Sequence, residues 1–316
     1  MLQRSLRACP SLPQPTLCRA MSESLADLQR FASPGVLTID TGCGGMPRVS
    51  VATALGRLEV YLHGGHVTAW QPAGHAPVLW MSSQSLFKAG KPIRGGIPLC
   101  WPWFGAAAEA DKPAHGTIRN QDWELSSARI DDAGVAHVEL FLRSNADTKR
   151  MFAHDFEVRL LIQAGRRLDV ALVGTNTGST SFTVGEALHT YLTIGDIRRT
   201  HITGLADAVG LNKCSDAQVS QPNPLTFSAE TDSVYASAGP IHIHDPVLGR
   251  VLRIGKSGSN STVVWNPWIA KSKKMPDYGD HEWPGMVCVE AANAGEAAYQ
   301  LAPGESHRIA TTIEVI

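Results

Sequence analysis

Along most of the chain apolar and polar residues alternate with a period of two, and the helical period of 3.6 is nearly absent. Val138, Leu140 and Leu142 alternate with Glu139, Phe141 and Arg143. FEVRLLI at residues 156–162 and LDVALV at 168–173 follow the same rhythm, with Gly165 and the Asn176, Thr177, Gly178 group as punctuation. Such runs predict half-buried antiparallel strands. Shorter runs at 58–63, 66–71 and 77–81, separated by Gly64, Gly65 and Gly74, read as a meander with tight turns. SFTVGEALHTYLTI at 181–194 reads as one long apolar strand. On it Glu186, Leu188 and Thr190 share one face, and Ala187, His189 and Tyr191 the other. Residues 241–254 predict a hairpin turning at a proline and a glycine, and 262–265, 286–290 and 308–316 predict further strands. Only residues 24–31, with Leu25, Leu28 and Phe31 at helical spacing, predict a helix. About fifteen strands with short turns and no alternating helices predict an all-β fold, a large antiparallel β-sandwich.

One stretch interrupts the rhythm. KPIRGGIPLCWPWFGAAAEADKPAHGTIR, residues 91–119, carries too much Gly and Pro for a long helix. Irregular segments of this length in compact domains are usually functional. Trp101, Trp103 and Phe104 offer aromatic faces for a sugar ring, His115 sits close by, and Arg94 and Arg119 offer charge-assisted hydrogen bonds to an anion such as phosphate. The ordinary alternative places the tryptophans in the core and the arginines on a solvated loop.

Composition narrows the field. The 316 residues carry 28 Lys plus Arg against 29 Asp plus Glu, so no basic field invites nucleic acid. No apolar run is long enough to span a bilayer. Six cysteines, Cys9, Cys18, Cys43, Cys100, Cys214 and Cys288, are widely spread without a CxxC pair and read as reduced thiols of a cytoplasmic protein. The first twenty residues hold Arg4, Arg7 and Arg19, no acid and three prolines, and Met21 offers a second start. Residues 1–21 are therefore expected to be a disordered or mis-assigned extension, followed by a single β-sandwich domain over 22–316.

Two polar residues stand out in apolar strands: His189 within 181–194 and Glu290 at the end of GMVCVE. Burying an imidazole or a carboxylate without partners is costly. Each alone fits a structural role; together they point to an acid/base pair, since His titrates near neutrality and a buried Glu can be tuned toward it. His242 and His244, with Asp245 beside them, are the competing metal-ligand reading, on a spacing no common site uses. No GxSxG, Walker loop, strand-linked GxGxxG or HExxH occurs, so elbow-type hydrolases, P-loop enzymes, dinucleotide enzymes and zincins lose support.

RGGIPLCWPWFG at 94–105, HGTIRNQDWEL at 115–125, EALHTYLTIGDI at 186–197, and VVWNPWIAKSKKM at 263–275 followed by CVE at 288–290 occur in one order. Together they resemble the hexose-6-phosphate mutarotases (glucose-6-phosphate 1-epimerases), a branch of the aldose 1-epimerase or galactose mutarotase-like superfamily. The resemblance runs from about residue 36 to the C-terminus. It implies a large antiparallel β-sandwich with its site in a cleft on one sheet. It implies His189 as general acid and Glu290 as general base, with Arg94 and Arg119 gripping the sugar phosphate and His115 in the same pocket. Lys271 in NPWIAK is an expected third cation. Three positions depart from the family pattern: Ala114 where glutamine often precedes His-Gly, Asn212 where a sugar-contacting aspartate is usual, and Ser233 where arginine is usual.

The implied activity is interconversion of the α and β anomers of a hexose 6-phosphate without metal or cofactor, by a monomer. The alternative is a non-catalytic carbohydrate-binding β-sandwich module, because fold alone does not fix function.

Overall fold

The computed structural model describes residues 23–220 and 224–316, so the extension expected over residues 1–21 lies outside the described residues. The predicted first helix is present as Leu25–Leu28, continued by a 3-10 turn over Gln29–Phe31. It starts at Ser24, whose Oγ accepts from the Asp27 amide while the Asp27 carboxylate accepts from the Ser24 amide.

The remainder is dominated by antiparallel sheets, as the alternation predicts. Nine strands form one sheet in the spatial order Leu225–Thr226, His201–Thr203, Ile241–Asp245, Arg250–Ser257, Ser306–Val315, Arg167–Asn176, Phe156–Ala164, Ala136–Arg143 and Glu124–Ile130. Eight strands form the second. Its path runs through Ala217–Ser220, Val209–Asn212, Thr231–Tyr235, Ser261–Asn266, Met286–Asn293, Glu186–Leu188 and Leu99–Cys100, and Tyr191–Thr193 also pairs with Met286–Asn293. A four-stranded meander, Leu37–Thr41, Pro47–Thr53, Gly56–Tyr61 and His66–Pro72, stands beside them.

The two large sheets share one apolar core. Leu140, Leu160, Leu172, Ile309 and Ile313 of the first belong to the same buried cluster as Leu188, Val264, Val287 and Val289 of the second. Each such side chain stabilises the fold by roughly 1.5–3 kcal/mol relative to an exposed one. Because Val287, Val289 and Ala291 take the core face of their strand, the residues between them, Cys288, Glu290 and Ala292, take the other. They are buried as well, because residues 94–119 lie over that face: Leu99–Cys100 joins its edge and Phe104 packs on Ala292's cluster.

Several expectations need correction. Residues 181–194 form three short strands, Phe182–Val184, Glu186–Leu188 and Tyr191–Thr193, instead of one. Between them the backbone donors turn to the irregular segment. The amide of Gly185 donates to the Pro102 carbonyl (2.9 Å), His189 to Pro98 (3.0 Å) and Tyr191 to Gly96 (2.9 Å), while Thr190 folds back on Leu188 (2.8 Å). Residues 77–81 make isolated bridges, Leu79 to Leu192 and Met81 to Gly95, in place of a ladder. Glu290 lies inside the strand Met286–Asn293, not at its end.

Candidate active site

The site lies where residues 94–119 cross the outer face of the eight-stranded sheet. His189 occupies the break between two strands that both pair with Met286–Asn293, and Glu290 projects from that strand. The chain thus brings together two residues 101 positions apart: His189 Nδ1 is 3.3 Å from Glu290 Oε1. The His189 side chain is 10% exposed and that of Glu290 1%, so the pair is roofed yet reachable through the imidazole. His189 Nδ1 and Glu290 Oε2 have no hydrogen-bond partner. Two buried polar atoms held without partners are costly to maintain, and a substrate can satisfy them.

Burial pushes the Glu290 carboxyl well above its ordinary value, with Asp232 adding to the shift against Lys213 and Arg119. Burial, the neighbouring His115 and the charges of Arg94 and Arg119 hold His189 well below its ordinary value. Both shifts favour the neutral forms, a carboxylic acid beside an imidazole, over the expected carboxylate and imidazolium, because a low-dielectric site disfavours charge.

Around the pair the cations differ in how far they are committed. Arg94 Nε and Nη2 clamp both oxygens of Asp277 (3.0–3.2 Å), and its Nη1 donates to the Tyr191 hydroxyl at 2.9 Å. Arg119 donates from Nη2 to the Ala114 carbonyl (2.9 Å), but its Nε is buried without a partner. Burial, and with it the nearby Arg94, pushes its guanidinium below the usual value. His115 lies between Phe104 and His189, with ring centroids 5.0 and 5.6 Å away. Burial, then Arg119, Arg94 and Lys213, take its pKa down to about 3, so it meets a ligand as a neutral imidazole.

The His-Gly turn that sets His115 and Arg119 is sterically specified. His115 holds φ 63° and Gly116 φ 78°. A Cβ on Gly116 would lie 1.9 Å from the Trp101 carbonyl oxygen. Gly96, after Arg94, is equally constrained: φ is 60° and an added Cβ would meet the Val67 carbonyl oxygen at 2.2 Å.

The other expected residues have protein partners of their own. Lys271 is bound by Glu230 (2.9 Å) and Asp232 (3.4 Å), so its charge is largely offset. Asn212 pairs in register with Ser233, and its Oδ1 accepts from the Cys214 amide at 2.9 Å. Trp101 is fully buried between Phe156 and Phe182 and belongs to the core, not to a sugar platform. Trp103 is tied to the Pro113 carbonyl (3.0 Å). Of the three expected aromatics only Phe104 borders the site, against His115 and under Lys213 Nζ (5.7 Å). His244 stacks on His201 in the other sheet, centroids 4.5 Å apart, and Asp245 caps a turn through the Val247 and Leu248 amides. Those residues do not form the metal cluster weighed above.

Sequence reasoning missed four contributors. Tyr191 stacks on His189 with centroids 4.8 Å apart, Trp265 meets His189 edge-on at 6.1 Å, Asp277 holds Arg94, and Asp232 bears on Glu290. The period-two face shared by His189 and Tyr191 was the one available signal; Asp277 gave none.

Residues 47–314 match the aldose 1-epimerase family, and the chain belongs to that family. It is 38% identical over 238 residues to a protein of Escherichia coli K12 named "Putative glucose-6-phosphate 1-epimerase", covering 74% of this chain and 79% of that one. A protein of the same name from Cenchrus ciliaris is 36% identical over 261 residues, covering 79% and 78%. Among solved structures, a "putative mutarotase" from Salmonella typhimurium superposes with TM-score 0.84 at 30% identity, covering 92% of this chain and 98% of that one. A galactose mutarotase related enzyme from Lactobacillus acidophilus, at 11% identity and TM-score 0.69 over 85% and 97%, shares the fold.

Proposed function

We propose that this epimerase interconverts the α and β anomers of a hexose 6-phosphate, with glucose 6-phosphate the first candidate. The reading rests above all on the 3.3 Å approach of His189 Nδ1 to Glu290 Oε1 in a cleft that also holds the uncompensated Arg119. The names carried by the curated relatives support the same substrate.

The pair begins with one proton on Glu290. A sugar hydroxyl donating to that carboxyl stabilises its charged form, and the proton passes to His189. Glu290 then takes the proton from the anomeric hydroxyl as His189 protonates the ring oxygen. The C1–O5 bond breaks, an aldehyde forms, and rotation about C1–C2 presents the other carbonyl face. Reversal of both transfers closes the ring with the opposite configuration. Electrons stay within the sugar, so two proton carriers suffice and neither metal nor cofactor is required. Arg119 grips the phosphate with its free Nε edge, and Arg94, held by Asp277, frames the opposite wall. Lys213, His115 and Asn212 complete the contacts to the sugar phosphate, and Lys271 acts as an outer cation.

A carbohydrate-binding module has no use for two partnerless buried titratable groups at proton-transfer distance, and that separates the readings. The proposal includes monomeric action in the cytoplasm. Supporting that setting, Cys43, Cys100, Cys214 and Cys288 are all unpaired. Among the described residues no helix is long and apolar enough to cross a membrane.

The test is NMR exchange between the anomers of glucose 6-phosphate and, separately, of free glucose, with purified protein and EDTA. Faster exchange of the phosphate alone, undiminished by EDTA, is expected. Equal acceleration of both sugars would remove the phosphate grip, and no acceleration of either would remove the activity.

A further inference from the structure

Beside the acid/base pair lies a third group that the ring-opening reaction does not use. Cys288 sits two positions before Glu290 on the same strand face, fully buried, and its Sγ, a His189 ring nitrogen and a Glu290 oxygen all lie within 4.8 Å of one another. Among the described residues these three are the group whose donor atoms converge in this way. We propose that His189, Cys288 and Glu290 form an inhibitory binding site for a thiophilic divalent cation, zinc above all, which silences the enzyme by occupying its acid and base.

The donor set is what zinc selects: one imidazole nitrogen, one thiolate sulfur and one carboxylate oxygen, with a fourth position left for water. In a tetrahedral site with Zn–N and Zn–O near 2.0–2.1 Å, the nitrogen and oxygen stand about 3.3 Å apart. His189 Nδ1 and Glu290 Oε1 are 3.3 Å apart already. A second, independent feature points to a ligand: His189 Nδ1 is buried without a hydrogen-bond partner, and so is the other carboxylate oxygen, Glu290 Oε2. Coordination through Nδ1 and Oε1 would satisfy the imidazole nitrogen, and the fourth-position water can donate to Oε2. The ligand atoms must shed their protons to bind, so capture of one zinc ion by neutral His189, the Cys288 thiol and the Glu290 carboxylic acid releases two protons to solvent, one from the thiol and one from the carboxyl. No redox partner is involved, and removal of the cation restores the pair.

This site competes with the sugar for the same atoms, so zinc and glucose 6-phosphate are expected to exclude each other.

The direct test is titration of the intact protein with Co²⁺, a spectroscopic stand-in for zinc, read by absorption. A thiolate-to-cobalt charge-transfer band with one equivalent bound, abolished by excess Zn²⁺ and weakened by glucose 6-phosphate, is expected. Cys288→Ala should remove the band, whereas Cys100→Ala, which alters the other buried thiol near the site, should keep it. In the anomer-exchange assay Zn²⁺ should slow the wild-type protein, with full recovery in EDTA, and at least roughly ten times more Zn²⁺ should be needed for Cys288→Ala. Absence of a charge-transfer band in the wild-type protein would overturn the proposal, and this reading depends neither on any variant folding nor on the sugar turned over. Inhibition equally strong in Cys288→Ala would overturn it too.

Discussion

The imidazole of His189 lies flat against the phenol ring of Tyr191, with centroids 4.8 Å apart and planes 9° from parallel. The Tyr191 hydroxyl in turn accepts from Arg94 Nη1 at 2.9 Å, and Asp277 holds Arg94 from the other side. Tyr191 therefore positions the acid without touching the reacting atoms. Tyr191→Phe keeps the stacked ring and is expected to change kcat by no more than about threefold. Tyr191→Ala frees the imidazole to swing and should lower kcat about 10- to 100-fold, as small misplacements of catalytic groups do. Saturation kinetics by anomer exchange separates the two, and equal losses in both variants would place the effect on Arg94 instead.

The electrostatics of the pair set a pH profile. The reactive state holds one proton on the pair. A second proton would have to go onto His189, whose pKa is held well below 6.5, and the last leaves Glu290, whose pKa is held well above 4.5. In EDTA, kcat/KM, which reports the free enzyme, should not fall with the ordinary imidazole pKa of about 6.5, as it would with an exposed imidazolium acid. A kcat/KM falling with an apparent pKa near 6.5 would contradict this assignment. Acid also loosens the fold itself: His66 and His115 are held at about 3 by burial, below their unfolded value of 6.5. Their contribution to stability is intact above 6.5 and declines by up to about 1.4 kcal/mol per pH unit per group as the pH falls toward 3.

Arg119, with its unpartnered Nε, should discriminate phosphorylated from free sugar more strongly than Arg94, which is already satisfied by Asp277. Arg119→Ala is expected to lower kcat/KM for glucose 6-phosphate by about 10²-fold or more, the scale of a charge-assisted bidentate contact. Competition by inorganic phosphate should weaken in parallel. Undiminished competition by phosphate in Arg119→Ala would show that Arg119 orders the pocket and does not read the phosphate.

Gly116→Ala should destabilise the protein by at least about 2 kcal/mol, since it combines a left-handed φ of 78° with a Cβ 1.9 Å from the Trp101 carbonyl oxygen. Chemical denaturation reports it directly. A change below about 0.5 kcal/mol would mean that the His-Gly turn relaxes freely and does not fix His115.

The strands were legible because period-two alternation is a local property: Val138, Leu140 and Leu142 point inward as their spacing requires. The break at His189 was not, because it is made by remote carbonyls of Pro98 and Gly96 that capture backbone donors no local pattern foretells. The aromatic cluster misled for a related reason. Trp101 and Phe104 differ by three positions, yet one is sealed between the sheets and the other borders the cleft, a distinction set by Phe156 and Phe182 from distant strands. Glu290 and His189 could be singled out as polar residues in apolar runs, but Asp277, Cys288 and Asp232 acquire their parts only through convergence in space.

The most direct test of the central claim is anomer-exchange NMR of glucose 6-phosphate with the wild-type protein and with His189→Asn, Glu290→Gln and the double variant, all in EDTA and each confirmed as folded. Each single change should lower the catalysed exchange rate about 10²- to 10⁴-fold, and the double variant should fall little further, because the two groups act as one proton-transfer unit. A Glu290→Gln or His189→Asn protein that retained the wild-type exchange rate would contradict the assignment of this pair as the acid and base.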